Sequence, residues 1–331
     1  NILRALETIN YHQNNSYGLD EHCDNARDKI QEALENYGVD IHFITGGTLT
    51  NLTFLSHALR PYEAVISADT GHINTHETGA IEASGHKVLS IPCTDGKLTA
   101  DLIRPVLKQH ENEHWVEPRL VYISLPTELG TVYTKEELEK LYQFCKRHNL
   151  YLYIDGARLA MALAVEETQL TLKDLPDLCD AFYIGGTKNG AMFGEALILV
   201  NDDLKDHFRF NMKQRGAILA KGWMIGVQFE ELFQDNLYLE LGKRSVALAQ
   251  RLKEGFIDCK IPFLCDSPTN QLFPIFPNEF AKKINENYVT TFQCKPDENH
   301  TCLRFCTSWA TNEQAVEDFI KDLKKWSYIY A

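Results

Sequence analysis

Two short stretches carry side chains that do chemistry when they meet. Ile154-Asp155-Gly156-Ala157-Arg158 and Gly185-Gly186-Thr187-Lys188-Asn189-Gly190 each follow a run of β-branched or aromatic residues and set charged side chains among glycines. A carboxylate and an amine delivered to neighbouring strand ends would converge on one ligand, and lysine is the side chain that forms an imine with a carbonyl compound. A structural ion pair leaves the same trace, since such pairs at strand ends are common and contribute little. A third stretch, Gly46-Gly47-Thr48-Leu49-Thr50-Asn51, reads as a glycine turn entering a helix. Backbone N–H groups there, with the Thr48 hydroxyl, would form an anion cradle, although a simple tight turn has the same pattern. No G-x-G-x-x-G occurs, so a dinucleotide site has little support.

These residues need elements to position them. Seven runs rich in β-branched and aromatic residues, at 41–44, 64–67, 87–91, 120–123, 151–154, 181–184 and 196–200, are separated mostly by segments with apolar spacing of three and four, such as Lys135 to Arg147 and Asn51 to Leu59. The alternation predicts an α/β fold, a mainly parallel seven-stranded sheet whose ligands sit at the carboxyl ends of the strands. The sixth and seventh runs are linked through Gly190 and Gly194 by too few residues for a helical crossover, which marks the seventh as reversed. Beyond Lys221 the pattern becomes one long helical stretch from Trp223 to Lys253. Short strands follow near Pro262, Gln271 and Thr301, then a last helix from Thr311 to Trp326 with Thr311 as its N-cap. That predicts a large domain over 16–230, a smaller α+β C-terminal domain over 231–331, and residues 1–15 as an N-terminal arm.

Composition narrows the classes. With 331 residues, 44% hydrophobic and 24% charged, the chain is long enough for one large core and one smaller one. A formal net charge of −13 without a basic run argues against nucleic acid or an anionic membrane as partner, so an anionic ligand needs a local positive site. There is no uninterrupted apolar stretch of about 18 residues and no h-region in the first fifteen, which makes a cytoplasmic location the expectation. Nine scattered cysteines with no C-x-x-C pair favour reduced, mostly buried thiols and no metal site.

Taken in order, Tyr17-Gly18, Gly47-Thr48 with Asn51, Asp69 with His72-Ile73 and Glu77, Asp155-Gly156-Ala157-Arg158, Thr187-Lys188 and Arg304 within Leu303-Arg304-Phe305-Cys306-Thr307-Ser308-Trp309 form an ordered set of motifs. In this the chain resembles the fold-type-I pyridoxal-5′-phosphate (PLP) enzymes of the aspartate aminotransferase superfamily. Among them it is most similar to the low-specificity L-threonine aldolase and β-eliminating lyase family, over essentially its whole length. The resemblance implies PLP as cofactor, held as a Schiff base by Lys188, with Asp155 at the ring nitrogen, Gly47 and Thr48 at the phosphate with Asn51 in reach, His72 stacked on the ring, and Thr187 beside the lysine. A surface histidine is the other reading of His72. Arg158, which the resemblance also places among the cofactor's contacts, and Arg304 would grip a substrate carboxylate, bidentate as guanidinium allows, and Tyr17 would line the same site. The implied assembly is a homotetramer, a dimer of dimers with shared sites, to which the cluster Arg209, Lys213, Arg215 and Lys221 would contribute.

The implied reaction splits the Cα–Cβ bond of a β-hydroxy-α-amino acid such as L-threonine, giving glycine and an aldehyde. One departure bears on it. Where the family carries Asn-Thr-His after the fourth strand, this chain has Pro126-Thr127-Glu128-Leu129-Gly130, so Glu128 takes the histidine's place as base, with His76 as another candidate. The alternatives are a PLP-dependent β-elimination giving a keto acid and ammonia and, from a different class, a non-catalytic ligand-binding protein with a Rossmann-like sheet.

Overall fold

The computed structural model describes residues 1–330. Its large sheet consists of β1 (Asp40–Ile44), β2 (Glu63–Ala68), β3 (Val88–Ile91), β4 (Glu117–Ser124), β5 (Tyr151–Asp155), β6 (Ala181–Gly185) and β7 (Glu195–Leu199), in the order β1-β7-β6-β5-β4-β2-β3. Each of the seven runs read from the sequence is one of these strands. Neighbours from β3 to β6 pair in parallel, while β7 runs antiparallel to both β1 and β6, as its short connection requires.

The strands are apolar throughout because both faces of the sheet are covered. Ile66, Val121, Ile154, Phe182 and Ile198 face one core. Their neighbours Val65, Leu120, Tyr153, Tyr183 and Leu197 face the other, the two-residue period of a strand. The helix Lys135–Arg147 shows the local logic of the coverings. A capping box between Thr134 and Glu137 starts it, Leu138, Leu141, Phe144 and Cys145 form its buried stripe, and Lys146 and Arg147 face the negative end of its dipole.

A second, antiparallel sheet holds β8 (Gln271–Leu272), β9 (Ile275–Pro277), β10 (Thr291–Cys294) and β11 (His300–Cys306). Its core gathers Phe256, Phe276, Phe280, Leu303 and Phe319 from the sheet and from the helices Leu237–Asp258, Asn278–Asn287 and Glu313–Tyr330. The helix Leu237–Asp258 packs both on Leu159–Leu163 beside the large sheet and on Glu313–Tyr330, and so joins the two units. Gly242 makes the first contact possible, because a Cβ there would lie 2.5 Å from the Ala160 carbonyl oxygen.

Four details differ from the expectation. Near Pro262 there is no strand, only an isolated bridge between Phe263 and Pro274, because Pro262 cannot donate to a ladder. The single helical stretch from Trp223 to Lys253 is two helices, Trp223–Leu232 and Leu237–Asp258, parted where Asp235 and Asn236 take left-handed conformations (φ 51° and 61°) that these residue types adopt with least strain. The last helix starts at Glu313 and is capped by Asn312, whose Oδ1 accepts from Gln314 N at 2.8 Å, while the Thr311 hydroxyl instead accepts from Ser308 N. The helix Asn278–Asn287 and β10 had no clear sequence signal. The first residues form the helix Ile2–Ile9, which buries Ile2 and Ile9 and packs against Trp223–Leu232.

Candidate active site

At the carboxyl end of β5, Asp155 is only 3% exposed and lies in a net of donors. Its Oδ2 accepts from the Tyr122 hydroxyl at 2.6 Å and from Asn51 Nδ2 at 3.1 Å, and its Oδ1 accepts from Ala157 N at 3.0 Å. The Tyr153 hydroxyl donates to Asn51 Oδ1 at 3.0 Å, which orients the amide so that its NH2 group meets carboxylates. That NH2 group also donates to Glu77 Oε1 at 2.7 Å, and the same oxygen is bonded to His72 Nδ1 at 2.8 Å. Asn51 is therefore engaged at the Asp155 end of the site, not left free for an anion at Gly47. The hydrogen bond to Glu77 is the main influence raising the His72 pKa, against the opposing effect of burial. One ligand-capable atom from each of His72, Glu77 and Asp155 falls within 4.8 Å of the others, a setting that favours a cationic group, whether metal ion or protonated ring nitrogen. Glu77 Oε2 is buried there without a partner.

Lys188 sits next door, on the turn between β6 and β7. Its amine makes no hydrogen bond or ion pair among the described residues. The residue is exposed, yet the protein around the amine desolvates it, and this with the nearby Arg158 charge lowers its pKa; Asp155, Glu195 and Cys306 pull the other way. The turn is tightly made. Gly186 N donates to Glu195 Oε2 at 2.8 Å, the Thr187 hydroxyl accepts from Gly194 N at 3.1 Å, and a Cβ on Gly186 would lie 2.6 Å from Gly194 O.

Glu128 approaches from the connection after β4. Its Oε1 accepts from the Ser124 hydroxyl at 2.6 Å and from His72 N at 2.8 Å, and the carboxylate also takes its own backbone N–H. Desolvation pushes its carboxyl up to about 7, with the Asp155 charge adding and the Ser124 hydrogen bond opposing. Arg158 is half-buried, its side chain makes neither hydrogen bond nor ion pair among the described residues, and its charge helps to depress the Lys188 amine. Arg304 comes from β11 in the other unit; its Nε is buried without a partner, and its charge helps to lower the His76 pKa, after burial and His72. Gly47 and Thr48 open the helix Gly47–Ala58, with the Thr48 side chain exposed at its positive end.

Tyr17 gathers with the basic cluster instead. At φ 65° its N–H donates to Ala220 O at 2.9 Å, its carbonyl accepts from Arg209 Nη2 at 3.1 Å, and its ring lies under Lys213 Nζ at 4.5 Å. The side chains of Arg215 and Lys221 make no hydrogen bond or ion pair among the described residues. Sequence reasoning passed over Tyr122, Ser124, Tyr153 and Glu195. A signal existed for three of them, since Tyr153 stands two residues before Asp155 on one face of β5, Tyr122 of β4 is in register with Tyr153, and Ser124 is in register with Asp155.

A model of the beta-eliminating lyase family matches residues 3–276. A low specificity L-threonine aldolase of Pseudomonas sp. (strain NCIMB 10558) is 31% identical, covering 97% of this chain and 92% of that protein. The low specificity L-threonine aldolase of Saccharomyces cerevisiae is 29% identical over 70% of this chain and 60% of its own length. Among solved structures, a threonine aldolase of Leishmania major superposes with a TM-score of 0.97 at 50% identity, covering 98% of this chain and 95% of that one. A histidinol-phosphate aminotransferase of Clostridium acetobutylicum, 13% identical with a TM-score of 0.75, shares the fold. On a match spanning most of the sequence and a relative similar from end to end, the chain belongs to the beta-eliminating lyase family.

Proposed function

We propose that the chain is a PLP-dependent lyase that cleaves the Cα–Cβ bond of L-threonine and related β-hydroxy-α-amino acids into glycine and an aldehyde. The observation that carries this is an amine without a partner among the described residues, Lys188, set within the electrostatic reach of a buried, donor-held carboxylate, Asp155, at the ends of adjacent strands. The residues fit the cofactor: the cation-seeking cluster of His72, Glu77 and Asp155, the Lys188 amine, which has no partner among the described residues, and the N-terminus of a 12-residue helix all stand at the ends of the large sheet's strands. When bound, PLP supplies an electron-accepting ring that takes up the pair released as a bond at the substrate Cα breaks.

The chain's own side chains do the rest. Lys188, its proton affinity lowered, presents the amine that would hold the cofactor covalently. Asp155 offers its carboxylate to the ring nitrogen, and Asn51 and Tyr122 keep it aimed. Gly47 and Thr48 would hold the phosphate with backbone N–H groups and a hydroxyl, and Thr187 would stay at the lysine. His72, fixed by Glu77, would cover the ring face. Glu128 would take the proton from the β-hydroxyl, a task suited to a carboxyl that burial pushes up to about 7. Arg158 and Arg304 would grip the α-carboxylate from the two units and set which bond at Cα stands ready to break. Tyr17 belongs to the same reading only through a neighbouring subunit, because in its own chain it sides with Arg209 and Lys213.

The assembly in this reading is a homotetramer, a dimer of dimers with shared sites, in the cytoplasm. Among the described residues no helix is long and apolar enough to cross a membrane. The functional division is the one the sequence indicates, 16–230 and 231–331 with 1–15 as arm. Three measurements test the proposal. The purified protein should bind PLP with a visible absorbance, borohydride should fix the cofactor's mass on the peptide of Lys188, and L-threonine should yield acetaldehyde and glycine. Lys188→Ala should lose both absorbance and turnover. Keto acid and ammonia from L-threonine or L-serine, without aldehyde, would favour β-elimination, and particle mass in solution decides the tetramer.

A further inference from the structure

Glu195 is the buried acid that the proposed reaction leaves unused. It opens β7 at 4% exposure, in register with Ile44 at the end of β1 and with Gly185 at the end of β6. It thus stands between the strand ends that lead into Gly47-Thr48 and into Lys188. Its Oε2 accepts from Gly186 N, and the Thr187 hydroxyl is also bonded to its carboxyl group. No ion pair neutralises it among the described residues. The charged and titratable groups that face it are Lys188 on the turn, Asp155 and Tyr153 on β5, Tyr183 on β6 and Tyr238 on the helix Leu237–Asp258. Burial lifts its carboxyl to about 7, against the hydrogen bonds from Thr187 and Gly186 and the Lys188 charge.

Besides burial, Arg158 depresses the Lys188 amine while Asp155, Glu195 and Cys306 raise it. Under the PLP reading two of these influences are taken up by ligands, Asp155 by the ring nitrogen and Arg158 by the substrate carboxylate. Glu195 is the carboxyl that no ligand is placed to neutralise. Resting on that reading, we propose that Glu195 is a positioning residue for Lys188. It pins the Gly186–Thr187 peptide that aims the amine, and it supplies the negative charge that sustains the amine's proton affinity once the site is filled. A lysine that trades places with a substrate amine gives up and regains a proton in each turnover, so this charge bears directly on its exchange.

The test is a pH titration of the holoenzyme's visible band, which follows protonation at the Lys188 nitrogen. Glu195→Gln keeps an acceptor for Gly186 N and removes the charge. Cofactor should stay bound, and the midpoint should move down by on the order of one pH unit. Glu195→Asp, which retains the charge, should bring the midpoint back towards wild type. Equal midpoints in wild type and Glu195→Gln overturn the proposal, and so does the same shift in the Gln and Asp variants. If Glu195→Gln sheds its cofactor, competitive acylation of Lys188 across pH in cofactor-free protein, followed by mass spectrometry, reads the same proton affinity. An unchanged profile there overturns the proposal too. A wild-type protein that shows no visible band with added PLP is a failure of the cofactor reading, a different outcome.

Discussion

At the scale of single residues, Glu128 makes the sharpest demand. Its carboxyl titrates at about 7 because it is desolvated, and as a base it works only when ionised. Threonine cleavage should therefore rise as pH climbs through neutrality and fall away below it. Glu128→Gln should cut kcat roughly a hundredfold or more, retain the bound cofactor's absorbance and abolish that limb of the profile; a pH series of kcat on both proteins measures it. The Arg158 guanidinium has no partner among the described residues, which leaves it free of them for a carboxylate. Arg158→Lys keeps the charge but loses the planar fork, and KM for L-threonine should rise roughly tenfold with a smaller change in kcat. Equal kinetics in the two proteins would remove Arg158 from substrate binding.

At the scale of elements, the strand ends do the positioning, and close packing of backbone holds them. Gly156 follows β5 where a Cβ would lie 1.9 Å from the Tyr183 carbonyl oxygen, so only glycine lets the Asp155 turn rest on β6. Gly156→Ala should cost about 1–3 kcal/mol, read as a lower denaturation midpoint, and should weaken PLP retention because Asp155 moves with the turn. The large sheet could be read from the sequence because its strands are buried on both faces and write themselves as unbroken apolar runs. The small domain was harder to read. β8 has two residues and β9 three, too few for a period, and β10 is half exposed. The break at Asp235 and Asn236 is a backbone event that apolar spacing does not report. The charged residues of the site announced themselves by type. The tyrosines that hold them did not, since Tyr122 and Tyr153 look like any aromatic residue in a buried strand until their hydroxyls are seen on Asp155 and Asn51.

At the scale of the whole molecule, two cores of different kinds meet across the helix Leu237–Asp258. The smaller one turns on Phe256, fully buried and in contact with the rings of Phe263, Phe276, Phe305 and Phe319 at 5.1–5.9 Å. Phe256→Ala should cost about 3–5 kcal/mol. Because β11 carries Arg304, KM should climb before the visible absorbance of the large domain's cofactor is lost; parallel thermal melts by absorbance and by circular dichroism would separate the two events. One guanidinium of the proposed pair is fastened to the seven-stranded sheet and the other to the four-stranded one. A single small anion held by both is then a staple between halves of the protein. Amino alcohols, which have the amine and the hydroxyl but no acid group, would enter the same site and leave the halves unstitched.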